Sequence, residues 1–240
     1  RLGTEELAVL GTQVEREYIG VGSGIQDQFT CLHARRNHVF WLDCRTLDYR
    51  HTALPRSASV VICDTNTRRE LVGSGYSSRS KDAHDAAHTI GLVDGHVKSL
   101  RDVSLERLDD FETVLTDGQY RRARHVITEI QRVEQGIHVL ERGDMAAFGA
   151  LMNESYWSAR QDYGSSSPAL DAMWQATTQH PGCYGARYSG GGEAGVIVAL
   201  VDAGTVCDCI TYTAARYTQI SGRAGDLFSV EPADSAGIFI

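Results

Sequence analysis

The feature that most constrains the fold is one long amphipathic segment at residues 120–140. Five apolar side chains recur in it at alternating spacings of four and three residues: Val126, Ile130, Val133, Ile137 and Leu140. This spacing places them on one face of an α-helix. Gly143 follows and is typical of a helix end. The sequence therefore predicts a long helix that has to pack one face against the rest of the chain.

Strand patterns lie on both sides of a mainly helical middle, residues 68–173. Short apolar runs predict strands at residues 39–44, 58–63, 183–189, 196–201 and 227–230. Further helices are predicted at residues 4–18 with Thr4 as N-cap, from Ile25, after Asp144, from Ser167-Pro168 and at residues 203–220. The polar stretch around Pro55 predicts a turn. Together these patterns favour an α+β fold: a strand pair, a helical bundle and strands flanking a glycine loop.

Charge and hydropathy restrict the partners. The 240 residues carry 31 acidic and 23 basic side chains, a net charge of −8, whereas nucleic-acid binders normally have a basic footprint. The longest apolar run, residues 194–201, is too short to cross a bilayer, and the first residues show no apolar leader segment. We therefore expect no nucleic-acid partner, no membrane partner and a cytoplasmic location.

The cysteines and histidines form no pattern typical of a metal site. Six cysteines are scattered through the chain, and the closest two, Cys207 and Cys209, have a single residue between them. A zinc site needs paired thiolates or histidines at matching spacing. We expect reduced cysteines that pack as small apolar side chains, and no metal ligand.

A glycine loop separates two of the predicted strands. Gly190, Gly192 and Gly195 fit the dinucleotide pattern G-x-G-x-x-G, but that pattern needs a helix directly afterwards, and here the β-type run 196–201 follows. A Walker A loop and a serine-hydrolase elbow are also absent from the sequence. Two interpretations stay open at this point: a hairpin bulge without a ligand, and a loop whose backbone approaches a ligand closely.

The order of several segments resembles the galactokinase family of the GHMP kinase superfamily. The segments that carry the resemblance are 22–29 (GSGIQDQF), 42–47 (LDCRTL), 121–130 (RRARHVITEI), 151–155 (LMNES), 162–163 (DY), 167–171 (SPALD) and 184–192 (YGARYSGGG). They occur in family order and cover nearly the whole chain.

The resemblance implies a reaction and the residues that serve it. Asp27 is expected to be the catalytic base that takes the proton from the sugar C1 hydroxyl. Gly24 and Tyr76, together with Asp27, are expected to bind the sugar. The loop residues Ser189, Gly190, Gly191 and Gly192 are expected to support the nucleotide site. The expected ligands are galactose, ATP and Mg²⁺.

The resemblance also has gaps. Glu193 stands where the family usually has an aromatic residue, and a carboxylate near phosphates is repulsive unless it points away or shares a metal. The family's first two motifs, which hold more of the sugar, the phosphates and a magnesium ligand, do not occur in the chain. Phosphoryl transfer depends on positioning and charge neutralisation, so the chain is expected to be inactive alone and to need a missing N-terminal half.

In domain terms, the resemblance implies that residues 1–67 are a remnant of an N-terminal domain of ribosomal-protein-S5-like fold. Residues 68–240 would then be the GHMP kinase C-terminal domain, with ferredoxin-like strands and helices. Three alternatives stay open: a non-catalytic regulator that responds to sugar and ATP, a kinase for arabinose, glucuronate or N-acetylgalactosamine, and one half of a split enzyme.

Overall fold

The computed structural model describes residues 2–20, 22–68 and 76–237, without the side chains of Tyr76 and Ser77. This part of the chain contains eight α-helices and two antiparallel sheets. The helices are α1 (Thr4–Gln13), α2 (Gln26–His33), α3 (Tyr76–Val93), α4 (Leu105–Leu108), α5 (Asp117–Glu141), α6 (Met145–Ser158), α7 (Pro168–Thr178) and α8 (Val206–Ser221). The strands are β1 (His38–Leu42), β2 (Tyr49–Ala53), β3 (Ala58–Asp64), β4 (Cys183–Tyr188), β5 (Val196–Asp202) and β6 (Asp226–Val230).

The predicted long helix is confirmed as α5, which begins after the N-cap Thr116 and is followed by Gly143 at φ +71°. Its fully buried positions include Ala123, Ile127 and Leu140. The predicted apolar face is only partly in the core, because Val133 keeps 50% of its surface exposed. Side chains of this face instead line a cavity, and they take part in the candidate site.

The second sheet has the strand order β4-β5-β3-β6, with every neighbouring pair antiparallel. The predicted pairing of the first two strands is wrong. β1 pairs with β2, which lies in the stretch predicted as a turn, whereas β3 lies between β5 and β6. The sequence did not predict β2, because its residues, YRHTA, are polar and largely exposed and show no alternation of apolar and polar side chains.

The domain division expected at residue 67 stays a prediction. β3 belongs to the N-terminal side of that division, yet it is hydrogen-bonded to two strands of the C-terminal side. Because a strand inside a sheet shares the core of that sheet, the pairing favours a border before Ala58.

Helix α6 packs on β4 at unusually short range. A Cβ added at Gly149 would lie 2.1 Å from the carbonyl oxygen of Tyr184, and one added at Gly185 would lie 1.9 Å from the carbonyl oxygen of Gly149. The Asn153 side chain accepts a hydrogen bond of 3.0 Å from the Ala186 amide. Two glycines thus let the backbones of helix and strand touch, and α6 is held to the edge of the sheet that carries the glycine loop.

Helix α1 begins after Gly3, whose amide donates to the Glu6 carboxylate at 2.7 Å, so the N-cap is Gly3 rather than the predicted Thr4. The helix continues as a π-helical turn, Val14–Ile19. Its apolar residues Leu7, Leu10 and Val14 are each more than 40% exposed. Within the described ranges, no helix combines the length and hydropathy that a bilayer crossing requires.

Candidate functional site

The glycine loop joins β4 to β5 across the tip of an antiparallel pair. Gly190, Gly192 and Gly195 have φ values of +79°, +77° and +100°, in the region that side chains other than glycine rarely adopt. The loop is pinned at its ends, where the Ser189 amide donates to the Val196 carbonyl at 3.1 Å. The Gly195 carbonyl accepts from the Thr65 amide at 3.1 Å and from its hydroxyl at 2.7 Å.

Within the loop, Gly192 packs closely against side chains outside the loop. A Cβ at this position would lie 2.6 Å from the Tyr188 ring and 2.7 Å from the Ser165 hydroxyl, and those two side chains are hydrogen-bonded to each other. Both are buried, and burial raises the pKa of Tyr188. The loop therefore rests on a fixed support.

A cavity of about 430 Å³ opens beside this loop. It is lined by Gly190 and Gly191, by one face of α5 including Val126, Glu129 and Ile130, and by residues 41–43 at the end of β1. Three segments that carry the family resemblance, 42–47, 121–130 and 184–192, thus meet at one place. Their proximity follows from the tertiary fold, since they are widely separated in sequence.

Asp43 fixes one wall of the cavity. Its two carboxylate oxygens accept from the Arg101 guanidinium at 2.6 and 2.7 Å, and one also accepts from the Arg45 amide at 2.7 Å. The Arg101 hydrogen bonds, followed by the Arg45 amide, lower the pKa of Asp43 to about 2. One nitrogen of Arg101 thus donates to both oxygens of Asp43, and this charge-assisted contact ties the end of β1 to the 3₁₀ turn Leu100–Asp102.

Glu129 and His125 form the polar part of the α5 wall. Glu129 accepts from the Ser155 hydroxyl at 2.7 Å and from Arg132 at 2.6 Å. Burial raises the pKa of Glu129, but the Ser155 hydrogen bond and the Arg187 charge outweigh it, and the net direction is down. Burial lowers the pKa of His125 to about 4 despite the opposing charge of Glu129. The site thus holds a neutral imidazole beside an ionised carboxylate.

His125 gives a test through pH. An unfolded histidine has a pKa near 6.5, and burial lowers the pKa of native His125 to about 4, so the unfolded state takes up a proton first as pH falls. The stability that the neutral imidazole provides is complete above pH 6.5 and lost as pH falls towards 4. We expect the wild type to lose about 2 to 3 kcal/mol more than His125→Gln between pH 7 and 4.

The measurement is the free energy of unfolding in urea at several pH values. Charged groups also act on His125, namely Glu129, Arg132, Asp162 and Arg187, so the difference between wild type and variant is the relevant quantity. His138→Gln serves as control, because His138 lies on the same helix but is 72% exposed. Equal pH slopes in the wild type and His125→Gln would contradict the assignment.

Asp27 and Gly24, two of the predicted sugar-binding residues, are not among the residues that line this cavity. Asp27 is the second residue of α2 and is exposed, and its carboxylate makes no hydrogen bond or ion pair with other described residues. Gly24 precedes α2 and faces open space. Tyr76 is the first residue of α3, and its side chain lies outside the described residues. Of the predicted loop residues, Ser189 and Gly190 are exposed, Gly191 is half-buried and Gly192 is buried.

Several side chains at the site were not predicted: Asp43, Arg79, Arg101, His125, Glu129 and Arg187. Asp43, His125, Glu129 and Arg187 lie inside the segments that identified the resemblance, so the signal was present without a chemical role attached. Arg79 ends the segment 75–79 (GYSSR) in which Tyr76 was matched, again without a role of its own, and Arg101 gave no signal because its partner Asp43 is remote in sequence. Among the described residues, no group of three or more His, Cys, Asp or Glu side chains could hold a metal ion.

Comparison with known proteins gives consistent matches. The family described as "GHMP kinases C terminal" matches residues 137–212. The chain is similar to a galactokinase of Roseiflexus sp. (strain RS-1), with 37% identity over 97% of the chain and 60% of the relative. It is also similar to a Homo sapiens galactokinase, with 36% identity over 94% of the chain and 56% of the relative. The chain thus spans somewhat more than half the length of these curated relatives.

Solved structures match along nearly the whole chain. The crystal structure of Lactococcus lactis galactokinase complexed with galactose superposes with a TM-score of 0.93 at 28% identity, over 98% of this chain and 61% of that one. The structure of L. major mevalonate kinase in complex with R-mevalonate superposes with a TM-score of 0.57 at 18% identity, a likeness that shows a shared fold alone.

Proposed function

We propose that this chain, which belongs to the galactokinase family of GHMP kinases, carries the base and the glycine loop of an ATP-dependent sugar-1-kinase. The resemblance inferred from the sequence motifs and the expected GHMP kinase C-terminal fold are both confirmed. Members of this family use ATP as a substrate. The proposed reaction converts galactose and ATP into galactose 1-phosphate and ADP.

One observation carries the choice of galactose. The chain superposes with a TM-score of 0.93 on a galactokinase that was solved with galactose bound. This likeness of the backbones, together with 37% and 36% identity to curated galactokinases, supports the same class of acceptor sugar. Arabinose, glucuronate and N-acetylgalactosamine differ from galactose in a few substituents, so they stay as alternatives for the assay to separate.

Asp27 is the proposed base. Its carboxylate takes the proton of the sugar C1 hydroxyl while that oxygen forms a bond to the γ-phosphorus of ATP, and the bond from the γ-phosphorus to the bridging oxygen breaks to release ADP. The exposure of Asp27 at the first turn of α2 supports this role, because a substrate can reach the carboxylate. Gly24, which precedes α2, and Tyr76, the first residue of α3, are proposed to bind the sugar.

The glycine loop is proposed to support the nucleotide site. Its first residues, Ser189 and Gly190, are exposed while Gly192 is buried against Tyr188, so one side of the loop is available and the other is supported. Exposed glycines allow a phosphate group to approach the backbone closely. Because the described residues offer no cluster of ligands for Mg²⁺, none of them is proposed to hold the metal.

The proposed polypeptide partner fits an exposed apolar surface on α1 and on the π-helical turn Val14–Ile19 that follows it. Leu7, Leu10, Val14, Tyr18 and Ile19 leave between 43% and 89% of their surface exposed. Contiguous exposed apolar surface marks an interaction site. We propose that further polypeptide, corresponding to the part of the relatives that this chain does not span, packs here and supplies the remaining phosphate and sugar contacts. The inactivity of the chain alone and its cytoplasmic location stay predictions.

The test is an ADP-release assay on the natural full-length polypeptide with ATP, Mg²⁺ and a panel of the four sugars. We expect turnover that depends on galactose, and little turnover from the 240 residues alone. ADP release with one of the other three sugars, and none with galactose, would show that this sugar is the acceptor instead of galactose. Binding of galactose without turnover by any sugar would favour a regulator over an enzyme.

A further inference from the structure

Glu193, the residue that departs from the family pattern, is held by an arginine from another part of the chain. Its carboxylate accepts from the Arg79 guanidinium at 2.8 Å, and only 9% of the Arg79 side chain and 24% of the Glu193 side chain are exposed. The repulsion expected between Glu193 and phosphates is therefore reduced by a partner that lies 114 residues earlier.

Arg79 reaches three parts of the structure from the first turn of α3. Besides Glu193, its guanidinium lies 3.5 Å from the carbonyl oxygens of Gly164 and Gly191, and its charge lies 5.9 Å from the centre of the Tyr163 ring. The contact to Gly191 is inside the glycine loop. One buried cation thus connects α3, the turn at Gly164 and the loop.

The loop needs such a connection. From Ser189 to Gly195, with both ends included, it contains four glycines, which lose more conformational freedom on ordering than other residues do. Thr65 fixes the far end at Gly195, and Gly192 rests on Tyr188. The contacts of Arg79 to Gly191 and Glu193 fall in the middle of the loop, where the backbone bonds at its two ends do not reach.

We propose that Arg79 is a positioning residue that holds the glycine loop through Glu193, and thereby couples the loop to the first turn of α3, where the proposed sugar-binding Tyr76 lies. The inference deepens the proposed function, on which its kinetic part rests. It assigns Glu193 a role as the anchor of the loop rather than as a ligand of phosphate or metal.

The structural test measures the order of the loop glycines in the natural full-length protein. Selective ¹⁵N-glycine labelling reports the amide order parameters of Gly190, Gly191 and Gly192. Wild type is expected near 0.85, as for rigid backbone, and both Arg79→Met and Glu193→Gln are expected below about 0.6. Asp85→Asn is the matched control, because it breaks the exposed Lys81–Asp85 pair on the same helix without touching the loop.

The double variant Arg79→Met/Glu193→Gln separates positioning from stability. Each single variant breaks the Arg79–Glu193 pair but keeps one of its two partly buried charges, which lowers the melting temperature, whereas the double variant removes both charges and recovers part of that loss. We expect its glycines to stay mobile all the same. Rigid glycines in the double variant, or equal mobility in Asp85→Asn, would overturn the proposal.

The kinetic test uses the same variants. We expect Glu193→Gln and the double variant to raise KM for ATP about tenfold and to leave KM for galactose within about twofold, because the loop serves the nucleotide. An equal rise in both KM values, with the loop still rigid, would overturn the proposal. If the wild type turns over no sugar, the proposed function fails, while the order parameters still decide whether Arg79 positions the loop.

Discussion

Replacement of Asp27 by asparagine is expected to lower kcat for galactose phosphorylation about 1000-fold, the middle of the range for loss of a general base. Asparagine keeps the size and shape of the side chain but cannot accept the proton of the C1 hydroxyl. A loss of that size corresponds to about 4 kcal/mol of transition-state stabilisation. The measurement is steady-state ADP release by the natural full-length protein at saturating galactose and ATP.

Two controls make the Asp27 result specific. Gln26→Ala alters the preceding exposed residue of the same helix and is expected to leave kcat within about threefold. Because Asp27 is exposed, its replacement is expected to change the free energy of unfolding by at most about 1 kcal/mol, the value of an acidic side chain at a helix N-terminus. A kcat of Asp27→Asn within tenfold of wild type, with galactose still binding, would show that another group takes the proton.

The second large effect concerns stability. Gly149→Ala is expected to destabilise the protein by about 3 kcal/mol, because its Cβ would lie 2.1 Å from the carbonyl oxygen of Tyr184. That oxygen belongs to the backbone of β4 and cannot rotate away, so α6 has to move off the sheet. The gain of about 1 kcal/mol that alanine brings to a helix interior is smaller than this cost. Urea unfolding measures the difference.

Two glycine controls distinguish the contact from a general effect of alanine. Gly136→Ala, inside α5, adds a Cβ 3.4 Å from the Phe148 ring, and it is expected to change stability by less than about 1 kcal/mol. Gly95→Ala has nothing within 4 Å and is expected to be neutral within about 0.5 kcal/mol. A loss below 1 kcal/mol for Gly149→Ala, or an equal loss for Gly136→Ala, would contradict the close approach.

Most of the helices and strands followed from local pattern. The amphipathic spacing predicted α5, and Asp144 and Ser167 accept the capping hydrogen bonds expected of them from Ala147 and Leu170. The same logic failed at β2, where exposed polar residues give no alternation. It also failed at the partner of β1, because pairing depends on which strands meet in space and not on their order in the chain.

The candidate site and its supports likewise contain residues that the sequence identified and residues that it did not. Asp27, Gly24 and the glycine loop could be named from the sequence because each lies in a short contiguous segment with a family pattern. Gly149 lies in no such segment, and Gly185 lies in one without a role assigned to it, although each has a backbone contact that forbids a Cβ. A glycine required by a neighbouring element is indistinguishable in one sequence from a glycine in open space, such as Gly24.

By itself, then, the sequence determined the family, the principal helices and strands and the segment around Asp27, because these depend on residues close together in the chain. The tertiary structure decided which segments line the cavity, that Arg101 lowers the pKa of Asp43, and that Arg79 holds Glu193. The last two are contacts between side chains that are 58 and 114 residues apart in the sequence. Coulombic and hydrogen-bond energies depend on distance in space, and only folding sets that distance.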